Sequence, residues 1–196
     1  MYARDYISSL SGNLSARLPG GNILVTPAGV RKSEMAPEQL VVVDLEGEPL
    51  DQLQDLSPTS ELPMHLEIYR RRKDVGAAIH AHPSASVALS LAGISLEKAI
   101  LPEAVVMLGP VPTTRYATPS SEENRVAISS LIDQHNAIIL ARHGTITIGP
   151  DLETAYQRLE TLEHTARTLI MAYQLGDIQP LSEEALNKLV SKTDAE

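Results

Sequence analysis

Cysteine, phenylalanine and tryptophan are all absent from this 196-residue chain, and tyrosine occurs only 6 times. Without cysteine there is no disulfide, thiolate zinc finger, iron–sulfur cluster or Cys nucleophile, so any metal must be held by His, Asp or Glu. With so few rings the core must be aliphatic, and platforms for stacking nucleic-acid bases are scarce. Basic residues are outnumbered, 16 Lys and Arg against 25 Asp and Glu, for a net charge of −9. An acidic chain with no Lys/Arg-rich block is a poor match to a nucleic-acid backbone, although it is compatible with a local pocket for one small anion. No apolar run approaches the ~18 residues of a transmembrane helix. The N-terminal stretch MYARDYISSLSGN lacks the basic and apolar regions of a signal peptide. A cytoplasmic protein is the expectation. What is present suits a folded core: 43% hydrophobic and 21% charged residues are ordinary globular values. The length fits a single domain over residues 1–196.

Neither an internal repeat nor a low-complexity linker interrupts the chain. Turn signals at Pro19-Gly20-Gly21, Gly47-Glu48-Pro49, Ser57-Pro58, Gly109-Pro110 and Gly149-Pro150 separate short elements. Strands are expected at residues 22–27, 40–45, 75–82, 105–108, 113–116, 137–141 and 145–148, with a helical turn at 37–39. Helices are expected at 60–72, 83–92, 121–135, from the cap Asp151 to about 175, and at 182–191. Helical crossovers are too few for a doubly wound parallel sheet. A mixed or antiparallel sheet with helices on its faces fits better.

Six histidines are present. His80 and His82 end an apolar strand, and residues i and i+2 of a strand point to one face about 6.6 Å apart. They can share a metal, or be two satisfied histidines at a strand end. His143 ends another apolar strand beside Gly144 and alone reads as structural. Joined to His80 and His82 it would complete a three-His set with an open fourth position, the pattern of a catalytic zinc site. Glu61 follows Thr59 and Ser60 at a helix start. There hydroxyls and free N–H groups can bind phosphate, or Ser60 can simply cap the helix with Glu61 as a first-turn acid. His65 lies one turn beyond Glu61 and can face the same way. His135, His164, Asp133 and Glu160 read as surface, packing or local partners. Turns at Ser11-Gly12-Asn13-Leu14-Ser15, taken to precede a strand, and Thr26-Pro27-Ala28-Gly29, followed by Lys32, offer backbone and amide donors to an anion.

In order along the chain stand SGNLS (11–15), TPAG (26–29), PTSE (58–61), HAHP (80–83), PEAV (102–105), YATPSSEEN (116–124), RHG (142–144) and ETLEHTA (160–166). These eight segments resemble the class II aldolase/adducin family, typified by L-fuculose-phosphate aldolase, over residues 2–189. The resemblance implies a three-layer α/β/α sandwich around a mostly antiparallel sheet, and a C4 homotetramer with sites at subunit interfaces. It also implies a divalent metal, typically zinc, on His80, His82 and His143. Glu61 matches the acid/base, and Asn13, Gly29, Thr59 and Ser60 match the positions that hold a substrate phosphate. Thr59 stands for the usual Ser, Ala28 replaces a residue that often bears a hydroxyl, and Arg142 replaces the usual Asn or His. Glu103 lies near a position where the aldolase has a tyrosine, and is either a second acid/base or structural.

The implied reaction is cleavage of a ketose phosphate, L-fuculose-1-phosphate-like, to dihydroxyacetone phosphate and an aldehyde through a metal-stabilised enediolate. Alternatives in the family are a 4-epimerase, a methylthioribulose-phosphate dehydratase and a sugar-acid phosphate decarboxylase. The epimerase branch usually has Asp at the position of Glu61. Adducin-like interaction modules keep the fold but lack the metal histidines, all three of which are present here.

Overall fold

Short extended runs between tight turns build one sheet, and amphipathic stretches between them build the helices. The computed structural model describes residues 1–50, 56–98 and 100–193. The strands are β1 (Asn13–Arg17), β2 (Ile23–Val25), β3 (Val41–Val43), β4 (Ala77–Ala81), β5 (Ala137–Leu140) and β6 (Gly144–Gly149). The helices are α1 (Leu62–Arg71), α2 (Ser84–Ala92), α3 (Pro102–Leu108), α4 (Glu122–Ser129), α5 (Leu152–Leu175) and α6 (Glu183–Thr193), with 3-10 turns at Tyr2–Arg4 and Pro37–Gln39. The sheet order is β3-β2-β1-β4-β6-β5, and every pairing is antiparallel.

The two-residue period of the strands divides the core. Ala78, Ile138, Ile146 and Ile148 face one side, where Met64, Ile68 and Tyr69 of α1 and Ile128 of α4 pack. Ala77, Ile79 and Ala81 face the other side against Ala155 and Leu159 of α5. Ala137 and Ile139 join that side with Leu89 of α2, Leu108 of α3 and Leu162 of α5. The sheet is thus sandwiched between two helical layers. By the same period His80 points with Ala78 to the α1 side.

Four expectations need correction. Residues 105–108 are not a strand but the end of α3: Pro102 at its first position and Glu103 in its first turn start a helix that outweighs the β preference of Val105 and Val106. Residues 113–116 form no strand, although Thr113 bridges Ile139 in parallel and the Thr114 amide donates to the Ile139 carbonyl at 2.9 Å. The helix expected to run to residue 135 ends at Ser129 and continues as turns. Asn13–Ser15, taken as a turn before a strand, are themselves the start of β1.

Two glycines let the central strands β4 and β6 close on their neighbours. A Cβ on Gly76 would lie 1.9 Å from the Pro150 carbonyl oxygen, and one on Gly144 would lie 2.3 Å from the Ala81 carbonyl oxygen. Backbone atoms cannot yield as side-chain tips do. Gly76→Ala and Gly144→Ala should therefore each lower the thermal midpoint or prevent soluble folding. Gly144→Ala should also weaken metal binding, because its Cβ would meet His80 and His82 ring carbons at 3.0 Å. Wild-type melting behaviour in both variants would contradict the close packing.

Candidate metal centre

β4 delivers His80 from within the sheet, and the chain carries on straight to His82. Past His82, buried Glu163 of α5 accepts from the amides of Ala85 and Ser86 at 3.1 and 3.0 Å, which fixes the start of α2. His143 sits in the turn between β5 and β6, where Arg142 has φ 62° and the His143 amide returns to the Leu140 carbonyl at 3.0 Å. Glu61 stands at the N-terminal boundary position of α1. The four side chains converge: one ligand-type atom from each of Glu61, His80, His82 and His143 lies within 4.8 Å of all the others.

The donor chemistry fits a cation. The Thr145 carbonyl can only accept, so His80 Nδ1, 2.9 Å away, carries a proton and donates to it. That contact orients the ring and leaves Nε2 aimed at the cluster. His80 Nε2 lies 2.8 Å from Glu61 Oε2 and 2.8 Å from His82 Nε2. Glu61 Oε1 lies 3.6 Å from His143 Nε2. Lone pairs of imidazoles and a carboxylate this close need a positive charge among them. His143 Nδ1 is buried with no hydrogen-bond partner among the described residues.

Burial, followed by the charge of His80, pushes His82 down to about 3 and His143 down to about 4. Both are therefore neutral, the form that ligates metals, across the physiological range. For Glu61, burial alone would raise the carboxyl. The hydrogen bond and charge of His80, with help from Asn13 and His143, outweigh burial and hold it well below the usual carboxylate range.

Beside the cluster is a cavity of about 300 Å³ whose wall includes Asn13, Gly29, Lys32, Thr59, Ser60, Glu61, His82, Ser120 and His143. Gly29 is exposed with φ +70°. Thr59 is buried and accepts from the Glu61 amide at 3.3 Å. Ser60 is exposed, and its hydroxyl bonds that of Ser120 at 2.9 Å. Ser60 is thus not the cap expected of it: Glu61 holds the cap position, and no side chain caps this helix. Asn13 lines the cavity, but its amide nitrogen donates to Glu61 Oε2 at 3.1 Å.

Lys32, noted in the sequence only as following the Thr26–Gly29 turn and given no phosphate role, is the lone cation of this wall among the described residues. Its ammonium donates to the Leu10 and Pro27 carbonyls at 3.1 and 3.5 Å. Asn124, the last residue of the YATPSSEEN segment and given no role there, is buried with its amide nitrogen 3.4 Å from Glu61 Oε1. Glu103 is not brought to the cluster: it is exposed on α3 and lies outside the cavity wall. His135 donates to the Pro110 carbonyl, His164 is exposed, Asp133 pairs with Arg71 and Glu160 with Arg4, all away from the cluster.

A family model for the class II aldolase and adducin N-terminal domain matches residues 1–170. The chain belongs to the class II aldolase and adducin family. It is 33% identical over 180 residues to 3-oxo-tetronate 4-phosphate decarboxylase of Escherichia coli K12, covering 90% of this chain and 82% of the relative. It is 34% identical over 167 residues to L-fuculose phosphate aldolase of Methanococcus maripaludis, covering 85% and 88%. A solved L-fuculose 1-phosphate aldolase superposes with a TM-score of 0.88 at 27% identity over 97% of this chain and 89% of that one. Class II aldolases use a divalent metal, Zn²⁺, and the Glu61, His80, His82 and His143 group is able to bind one.

The histidine shifts carry a sign. His82, His143 and buried His65 have folded values of about 3, 4 and 3 against an ordinary 6.5. Below 6.5 the unfolded chain therefore binds more protons than the native one, and native stability is lost as the pH falls towards those folded values. Chelator-treated protein should show a thermal midpoint that drops from about pH 6.5 to about pH 4, and added zinc should raise the midpoint near neutral pH. A midpoint indifferent to zinc would speak against the metal centre.

Proposed function

We propose that this chain is a zinc-dependent enzyme that breaks a carbon–carbon bond beside the ketone of a phosphorylated sugar, an aldolase of the L-fuculose-phosphate type acting in the cytoplasm. The observation that carries the reading is the ionised Glu61 carboxylate set against three imidazoles, those of His80, His82 and His143, at one end of an open cavity. His80, His82 and His143 would hold the metal. When bound, it would polarise the ketone and stabilise the negative charge left by bond cleavage.

The chain's own groups do the rest. Glu61, ionised at rest, takes the proton of the hydroxyl on the carbon that becomes the aldehyde. The electron pair of the broken bond stays on the carbon next to the ketone. Glu61 then returns its proton to that carbon, so one carboxyl serves both transfers and the proton count closes. Asn13 holds Glu61 at 3.1 Å in the required place. Its second N–H, the backbone at Gly29 and the hydroxyls of Thr59 and Ser60 would take the phosphate. Lys32 adds a full positive charge to what would otherwise be a site of neutral donors.

A second reading is decarboxylation of a 3-oxo sugar acid phosphate, favoured by the 33% identity to the Escherichia coli decarboxylase over 90% of this chain. The electron pair stays on the same kind of carbon, but carbon dioxide leaves and no hydroxyl proton is supplied. Glu61 would have to draw its proton from water. A panel of ketose phosphates and 3-oxo acid phosphates, with products identified, separates the two by the appearance of an aldehyde or of carbon dioxide. Glu61→Gln should keep zinc and fold while losing roughly 10²–10⁴ in rate, the range for general acid–base catalysis. Ser60→Ala should raise KM with little change in melting. Near wild-type turnover in Glu61→Gln would remove the role assigned to it.

We also propose a homotetramer. Large apolar side chains stand exposed on the single chain, among them Leu91 at 54%, Met171 at 57% and Leu175 at 90%. Burial of such surface between copies would be favourable. Light scattering should give a mass near four chains. A fully active monomer would contradict this.

A further inference from the structure

Glu61 is also reached from the core side, by a chain of hydrogen bonds that the reaction above does not use. Asn13 Oδ1 lies 2.6 Å from His65 Nε2, His65 Nδ1 lies 2.6 Å from Ser15 Oγ, and Ser15 Oγ lies 2.8 Å from the Tyr69 hydroxyl. The backbone of Ala78 bonds that hydroxyl in turn. Asn13, Ser15, His65 and Tyr69 are all buried, His65 and Tyr69 at 0% exposure.

Elementary hydrogen-bond chemistry sets the direction of every link. An ionised carboxylate only accepts, so the Asn13 atom facing Glu61 is its amide nitrogen and the atom facing His65 is its carbonyl oxygen. That oxygen only accepts, so His65 Nε2 must carry the proton. Burial, followed by the charge of His80, pushes His65 down to about 3, so the ring is neutral and its Nδ1 is an acceptor. Ser15 must then donate to Nδ1, and Tyr69, whose hydroxyl burial raises to about 12, donates to Ser15. All donors point one way, from Tyr69 through Ser15, His65 and Asn13 towards Glu61. The reverse polarity would set two acceptors against each other at the carboxylate.

We propose that His65 is a positioning residue for Glu61: as the Nε2–H tautomer, fixed by Ser15 and Tyr69, it locks the Asn13 amide so that an N–H always faces the carboxylate. A free Asn side chain could turn its oxygen towards Glu61 and push the carboxylate away from both His80 and the reacting carbon. The inference rests on the catalytic reading of Glu61.

The test pairs two variants with one spectroscopic measurement. His65→Leu removes the donor, whereas His65→Gln keeps an N–H near the position of Nε2. His65→Leu should lower kcat by about 10–100-fold, the range for partners that orient active groups from behind. Its KM and zinc content should stay unchanged, and His65→Gln should recover most of the loss. Nitrogen-15 NMR of the wild-type holoprotein should show His65 protonated at Nε2 and bare at Nδ1 from about pH 5 to about pH 8, where a free histidine would titrate. Unchanged kcat in a folded His65→Leu protein would overturn the proposal, as would no recovery in His65→Gln. A His65 ring protonated at Nδ1 would overturn it too. If the wild type turned over nothing in the panel, the functional reading would fall, and the NMR tautomer would still decide the wiring.

Discussion

A buried negative charge is the constraint around which the rest of the site is arranged. Glu61 is only 6% exposed, and an unpaired carboxylate there would neutralise itself. It stays ionised because His80 stands at 2.8 Å, Asn13 donates at 3.1 Å and Asn124 approaches at 3.4 Å. Each partner needs its own support. His80 is held by the Thr145 carbonyl of the neighbouring strand, and Asn13 by the His65 ring of α1. Removing one partner would leave part of a buried charge uncompensated, which is costly in a site of low dielectric.

The sheet makes this arrangement possible. β1 and β4 pair directly, with Asn13 opposite His80, so the alternation of the strands sends both side chains to the α1 face. α1 then brings Glu61, His65 and Tyr69 down one side at helical spacing. The β5–β6 turn adds His143 from the next strand pair. The same face is a hydrocarbon core under Ile146 and Ile148 and a polar network under Asn13 and Ser15.

Much of this was legible in the sequence, and the failures have physical causes. The period of two marked His80 and His82 as a pair, the apolar run before His143 marked its strand, and the cap Asp151 marked the start of α5, where it accepts from the Thr154 amide at 2.7 Å. β1 escaped because its inward residues, Asn13 and Ser15, are polar. A strand whose buried face serves a hydrogen-bond network has no hydrophobic alternation to read. Val105 and Val106 suggested a strand because β preference depends on context, and Pro102 in the first turn decided for the helix. Ser60 looked like a cap because spacing cannot show that Ser120, sixty residues on, competes for its hydroxyl. Lys32 escaped for a similar reason, since only the folded loops bring its ammonium to the cavity. The family resemblance supplied the three-histidine set that spacing alone left open.

The aldolase and decarboxylase readings share one step, movement of a proton by Glu61 at the carbon beside a polarised ketone. That step can be measured without knowing the sugar. Dihydroxyacetone phosphate is incubated with zinc-loaded protein in deuterated water, with no aldehyde present, and its carbinol hydrogens are followed by NMR. The expected result is entry of one deuteron, on one face of that carbon, by wild-type protein and none by Glu61→Gln. Zinc-loaded wild-type protein that bound dihydroxyacetone phosphate and left both hydrogens unexchanged would contradict the account.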